Sequence, residues 1–194
     1  MNDIAAVVLA AGASRRMGIP KQLVAVDGRP MLVRIVECVL AAGVDPVIIV
    51  LGAYADEIRL LLAGKPVTVV MNRQWEEGLA SSLRAGLAAV GQAEAVLFVP
   101  ADMPRLTPGA IRAIIDEYRA TGKTIIVPTC RGQRGNPVLF ARSWFPQLAQ
   151  LRGDVGGRVL VAAHQADVHA VEIGDEGILL DIDTPDDLSK KRRD

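Results

Sequence analysis

Short apolar runs alternate with stretches of helical periodicity along the chain. Residues 4–10 (IAAVVLA) form an unbroken apolar run, as expected of a strand covered on both faces. A helix is predicted from 31 to about 42, with Met31, Ile35, Val36 and Val39 on one face, Pro30 at its start and Gly43 as its C-cap. Further strands are predicted at 47–51, 67–71, 95–100, 124–128, 138–141 and 178–183. Further helices are predicted at 55–63, from 79 or 80 onward, at 108–121, 143–151 and 159–164. Thr184, Pro185 and Asp187 read as N-cap, first helical residue and capping-box acid of a last helix. This alternation predicts an α/β fold with a largely parallel sheet.

The first strand breaks at Ala10-Ala11-Gly12 into a loop with little side-chain bulk, followed by Ser14 and three cations, Arg15, Arg16 and Lys21. Small residues permit close approach of a ligand. Backbone N–H groups in such a turn make an anion-binding concavity, and guanidinium forks with a lysine point charge suit a phosphate chain. The pattern is neither GxxxxGK[ST] nor GxGxxG, because Gly18 is followed by Ile19-Pro20-Lys21 and no glycine stands between Gly12 and Gly18. An ordinary basic strand-to-helix loop is the plainer alternative.

Two acids stand at predicted strand exits. Asp102 follows the apolar run 95–100, where an α/β sheet places chemistry, and it either holds Mg²⁺ or caps a turn before Pro104. Asp183 shares a strand face with Asp181 and lies ahead of the Thr184 cap, so capping does not account for it. Ser81 and Ser82 lie in the first turn of a predicted helix and either cap it or face an anion. Trp75 is expected to pack. Arg131 and Arg134, on the loop 129–137, are surface charges or reach a second anionic substrate.

No general base is apparent. His164 and His169 have no neighbouring nucleophile motif and are expected to be surface or packing residues. A phosphate monoester needs no base to attack phosphorus, so the pattern favours a phosphorylated acceptor and release of pyrophosphate.

Composition narrows this further. The 194 residues are 51% hydrophobic and 23% charged, which fits one globular domain with a sizeable core. The formal net charge of +0 gives no global attraction to nucleic acid or membrane. Cys38 and Cys130 form no CxxC, so neither a thiolate metal site nor a disulfide framework is expected. A cytoplasmic protein with no membrane span is expected, and the basic run 190–193 reads as a solvated helix end.

The stretch LAAGASRRMGIPKQL resembles the LAAGxSxRMGxxKxL signature of MobA-like nucleotidyltransferases, and in particular the molybdenum cofactor cytidylyltransferases. That resemblance extends over nearly the whole chain, 1–194, as one nucleotidyltransferase domain. It implies a three-layer α/β/α, Rossmann-like fold with a mostly parallel mixed sheet. It implies that Leu9, Ala10, Ala11, Gly12, Ser14, Arg15 and Lys21 hold the nucleotide, with Asn72, Ser81 and Ser82 near base and ribose. Asp102 and Asp183 match the magnesium ligands, and Lys21, Arg16 and Asp102 the catalytic set. An acceptor side at about 129–175 is implied to include Asn136, Asp154 and Arg158, although the family often has His in place of Asn136.

LAAG with Ser14, and Pro20 before Lys21, look like the cytidylyl enzymes; the guanylyl enzymes usually read LAGG with an acid before the lysine. The implied reaction moves CMP from CTP to the terminal phosphate of molybdenum–molybdopterin. A molybdoenzyme or its maturation factor is the implied downstream partner, with no nucleic acid, and a monomer is expected. The alternatives are use of GTP, a sugar-phosphate or polyol-phosphate acceptor, and a non-catalytic nucleotide-binding regulator.

Overall fold

A computed structural model describes residues 3–184, 186 and 187. Its centre is β1 (Ile4–Ala10), whose apolar run is buried on both faces. A short antiparallel ribbon follows, β2 (Ala25–Val26) and β3 (Arg29–Pro30), then α1 (Met31–Ala41). Next come β4 (Val47–Leu51), α2 (Ala55–Leu60), β5 (Thr68–Met71), α3 (Leu79–Leu87) and β6 (Ala95–Pro100). The remaining elements are α4 (Pro108–Thr121), β7 (Ile125–Cys130), β8 (Gln133–Arg134), β9 (Val138–Ala141), α5 (Phe145–Gln150), α6 (Arg158–Ala163) and β10 (Val168–Glu172).

The main sheet runs β10-β7-β9-β6-β1-β4-β5, with β8 paired to β7. Pairs are parallel except those that β8 and β9 make. The mixed, mostly parallel sheet therefore agrees with the expectation. Successive strand residues feed opposite faces. Ala6, Val8, Ile49, Leu97 and Val99 meet Leu32, Ile35 and Val36 of α1, Ile58 of α2 and Ile111 and Ile114 of α4. Ala5, Val7, Ile48, Val96 and Phe98 meet Leu83 of α3, Leu148 of α5 and Val161 of α6 on the other face. Two helical layers thus sandwich the sheet. Gly86 lets α3 settle close to β1; a Cβ there would stand 2.3 Å from Val7 Cγ1. Among the described residues no helix is long and apolar enough to cross a membrane.

Strand order reverses at β1, with β4 on one side and the later β6 on the other. In open α/β sheets this switch point opens a crevice at the carboxyl ends of the strands. The loops leaving Ala10 and Pro100 border it.

Two expectations are corrected. Residues 178–183 are not a strand: a 3₁₀ turn spans Glu176–Leu179, and the chain then runs extended without a ladder. Its backbone is satisfied singly: Asn136 N donates to Ile178 O at 2.9 Å and Ile182 N to Asp102 O at 2.9 Å. The edge strand is instead β10, parallel to β7, in a stretch where the sequence predicts no element. At the C-terminus, the Asp187 carboxylate accepts from Thr184 N at 2.8 Å, as a capping box requires. Pro185 and residues 190–193 lie outside the described residues.

Candidate active site

The basic loop closes over the carboxyl end of β1 through local hydrogen bonds. Ser14 takes the left-handed region at φ 54°, its carbonyl accepts from Met17 N at 2.8 Å, and its Oγ accepts from Lys21 N at 3.0 Å. Ser14 therefore shapes the turn that delivers Lys21. Gln22 is buried, and its Nε2 donates to Ala10 O at 2.9 Å and to Gly12 O at 3.0 Å. Sequence reasoning missed Gln22, which carries no signal beyond its place next to Lys21.

Three distant segments meet at Lys21. Its ammonium lies 2.5 Å from Asp102 Oδ2 and 3.2 Å from Asp183 Oδ1, while Arg16 Nη2 lies 2.8 Å from Asp183 Oδ2. Lys21 and Asp102 are largely buried, at 17% and 18% side-chain exposure, whereas Arg16 is exposed. Burial pulls the Lys21 ammonium down, but the Asp102 and Asp183 carboxylates outweigh it, so its pKa lies above the ordinary 10.5. The C-terminal segment is pinned here by a small apolar cluster of Met17, Met31 and Ile182.

The same geometry tests for a metal. Asp102 and Asp183 converge on one cation, and their donors are oxygens, which fits a hard divalent ion. Among the described residues no third His, Cys, Asp or Glu joins them. Two carboxylates suffice for Mg²⁺ when phosphates and water complete the octahedron.

Two cavities flank this cluster. One, of about 650 Å³, is lined by Leu9, Ala11, Gly12, Arg15, Trp75 and Ser82, and reaches Lys21 and Asp102. The other, of about 620 Å³, is lined by Arg134, Asn136, Arg158 and Asp183 above an apolar wall of Phe98, Phe140 and Val161. Leu9, Arg16, Leu79, Pro100 and Asp154 border both. Asn136, Asp154 and Arg158, predicted together from two separate stretches, share the second cavity.

Other predicted residues fall differently. Asn72 and Ser81 are buried and spent on each other: Asn72 Nδ2 donates to Ser81 Oγ at 2.8 Å and to Ser82 Oγ at 3.1 Å. Of these three, Ser82 lines the first cavity. Asp154 Oδ1 accepts from Leu79 N at 3.2 Å and so caps α3 across the cleft. Trp75 packs as expected but also walls the cavity. His164 packs against Trp144 with the rings tilted 58° to each other and His169 pairs with Glu117, both as packing or surface groups.

An open α/β sheet with a basic small-residue loop and two carboxylates at its switch point defines a nucleotide-handling enzyme of the Rossmann-like class. The chain belongs to the MobA-like NTP transferase domain family, matched over residues 6–168, a family whose chemistry is nucleotidyl transfer. It is 30% identical to the molybdenum cofactor cytidylyltransferase of Escherichia coli K12, covering 97% of this chain and 95% of that one. It is also 30% identical to the nicotine blue oxidoreductase of Paenarthrobacter nicotinovorans, covering 95% and 94%. The crystal structure of Rv0371c from Mycobacterium tuberculosis H37Rv superposes with a TM-score of 0.86 at 33% identity, covering 99% and 98%. A manganese complex of that mycobacterial protein superposes at 0.81, again at 33% identity, covering 97% of each chain.

Proposed function

We propose that this protein transfers CMP from CTP to the terminal phosphate of molybdenum–molybdopterin, forming the cytosine dinucleotide cofactor and releasing pyrophosphate. The observation that carries the reading is the Lys21–Asp102–Asp183 cluster at the junction of two cavities. A nucleotide on one side and a phosphorylated acceptor on the other would meet there. The cytidylyltransferase relative and the LAAG loop support CTP and this acceptor.

Arg15, Arg16 and Lys21 neutralise the triphosphate, and the loop backbone lies close to it. An acceptor phosphate oxygen attacks the α-phosphorus, the α–β P–O bond breaks, and pyrophosphate leaves with the bonding pair. Positioning and charge stabilisation do most of the work in such transfers. Asp102 and Asp183 would hold Mg²⁺, which when bound supplies charge neutralisation at the phosphates. The acceptor is already anionic, in keeping with histidines engaged elsewhere and a Cys38 thiol that burial pushes up to about 12. Phe98, Phe140 and Val161 favour a planar ring system over a sugar in the second cavity.

Pyrophosphate release measured with Mg²⁺, molybdenum–molybdopterin and each ribonucleoside triphosphate in turn tests the reading. Release with CTP is expected. Release with GTP instead, or with no nucleotide, overturns it.

A further inference from the structure

We propose that Gln22 is a positioning residue for the nucleotide's phosphate chain, acting by fixing the direction of the loop's peptide units. The inference rests on the triphosphate reading of the loop. Gln22 is 1% exposed, and both hydrogens of its amide go to the carbonyls that bracket Ala11: Ala10 O at 2.9 Å and Gly12 O at 3.0 Å. A trans peptide unit is planar, with C=O and N–H pointing oppositely. Holding Gly12 O toward Gln22 therefore turns Ala13 N–H away from it. The intervening unit is held from the other side, since Ala11 O accepts from Ala53 N at 3.0 Å. Successive peptide units are thus locked in alternating directions.

The products of this locking are unpaired donors. Among the described residues, the N–H groups of Ala11 and Ala13, which belong to the two units Gln22 holds and so point away from it, have no protein acceptor, and both residues line the nucleotide-side cavity. N–H groups turned to the same side make an anion-binding concavity. Without Gln22 the two carbonyls lose their donors, and either peptide unit can turn its oxygen to the phosphates. The Gln22 side chain also keeps a cost that packing alone would not select. Its Oε1 is buried without a partner among the described residues, whereas an apolar residue of the same length would leave no such orphan.

The test is equilibrium binding of CTP, CMP and cytidine to wild type and to Gln22→Met, which keeps the volume and removes the donors. CTP affinity is expected to fall about tenfold to hundredfold while cytidine affinity stays within about twofold. An unchanged CTP-to-cytidine ratio overturns the proposal. So does an equal loss for all three ligands accompanied by a lowered melting temperature, which marks a structural role. Gln22→Glu supplies a second reading, because a protonated carboxyl restores one of the two donors. Its CTP affinity relative to wild type is expected to recover as pH falls, and a flat ratio counts against the proposal. Wild type binding CTP no better than cytidine would instead refute the triphosphate site itself.

Discussion

The Lys21 ammonium sits 2.5 Å from the Asp102 carboxylate although 81 residues separate them in sequence. Both side chains are largely buried, so each is the main neutralising partner the other has at that depth. The contact joins the loop leaving β1 to the loop leaving β6. It places the proposed phosphate-binding cation beside the proposed metal acid.

Asp102→Ala is expected to lower kcat by about a hundredfold or more while CTP binding is largely kept, because the carboxylate would hold the Mg²⁺ that neutralises charge developing during transfer. Steady-state pyrophosphate release alongside equilibrium binding separates the two effects. Unchanged turnover would remove Asp102 from the site.

Lys21→Met is expected to weaken CTP about tenfold to hundredfold, the worth of a charge-assisted hydrogen bond to phosphate. It should also alter the alkaline limb of stability. The folded Lys21 pKa is raised above 10.5, so its stabilising contribution is complete below that pH and is lost as pH rises through the folded value. Urea titrations between neutral pH and the alkaline range should show a decline in wild type that is smaller in Lys21→Met.

Asp187→Ala tests how Asp183 is aimed. Asp187 Oδ2 accepts from Asp183 N at 3.1 Å, Thr184 N at 2.8 Å and Thr184 Oγ1 at 2.8 Å. Losing this cap should cost about 1 kcal/mol of stability. It should also reduce kcat, since the backbone of Asp183 is released while its carboxylate remains.

Gly86→Ala probes the fold apart from the chemistry. Its new methyl would meet Val7 Cγ1 at 2.3 Å, and Val7 is buried at the centre of the sheet. A loss of about 1–3 kcal/mol is expected from overpacking, read as a lowered urea midpoint.

Arg134→Ala addresses the acceptor side. Arg134 borders the second cavity and its Nη2 donates to Gln165 Oε1 at 2.7 Å, which holds it there. The acceptor KM is expected to rise about tenfold or more with the CTP KM unchanged, because a guanidinium binds phosphate by charge-assisted hydrogen bonds. A matching rise in both KM values would place Arg134 elsewhere in the reaction.

Much of the layout was legible from pattern because local rules decide it. β1, β4 and β6 are apolar without a break, since both of their faces are covered. Gly122 ends α4 at φ 64°, and Thr107 Oγ1 accepts from Ala110 N at its start, as capping chemistry requires. Failure came where structure depends on a partner. The run ILLDID has the alternation of a strand, yet it finds no edge to pair with and is instead tied by single bonds to Asn136 and Asp102. The segment forming β10 is half-exposed and weakly patterned, and becomes a strand because β7 offers it a free parallel edge.

By itself, then, the sequence determined the elements of contiguous origin: the apolar strands, the capped helices, and a basic loop whose small residues and cations lie within one short stretch. It also marked Asp102 and Asp183 through their positions after apolar runs. Tertiary structure alone decided that Lys21, Asp102 and Asp183 share one cluster, that Asn72 and Ser81 turn inward on each other, and that Gln22 holds the loop from beneath. Those relationships arise from strand order at the switch point and from packing between segments far apart in the chain. No local periodicity records them, because the hydrogen bonds and ion pairs that define the site form only between parts that the folded sheet has brought together.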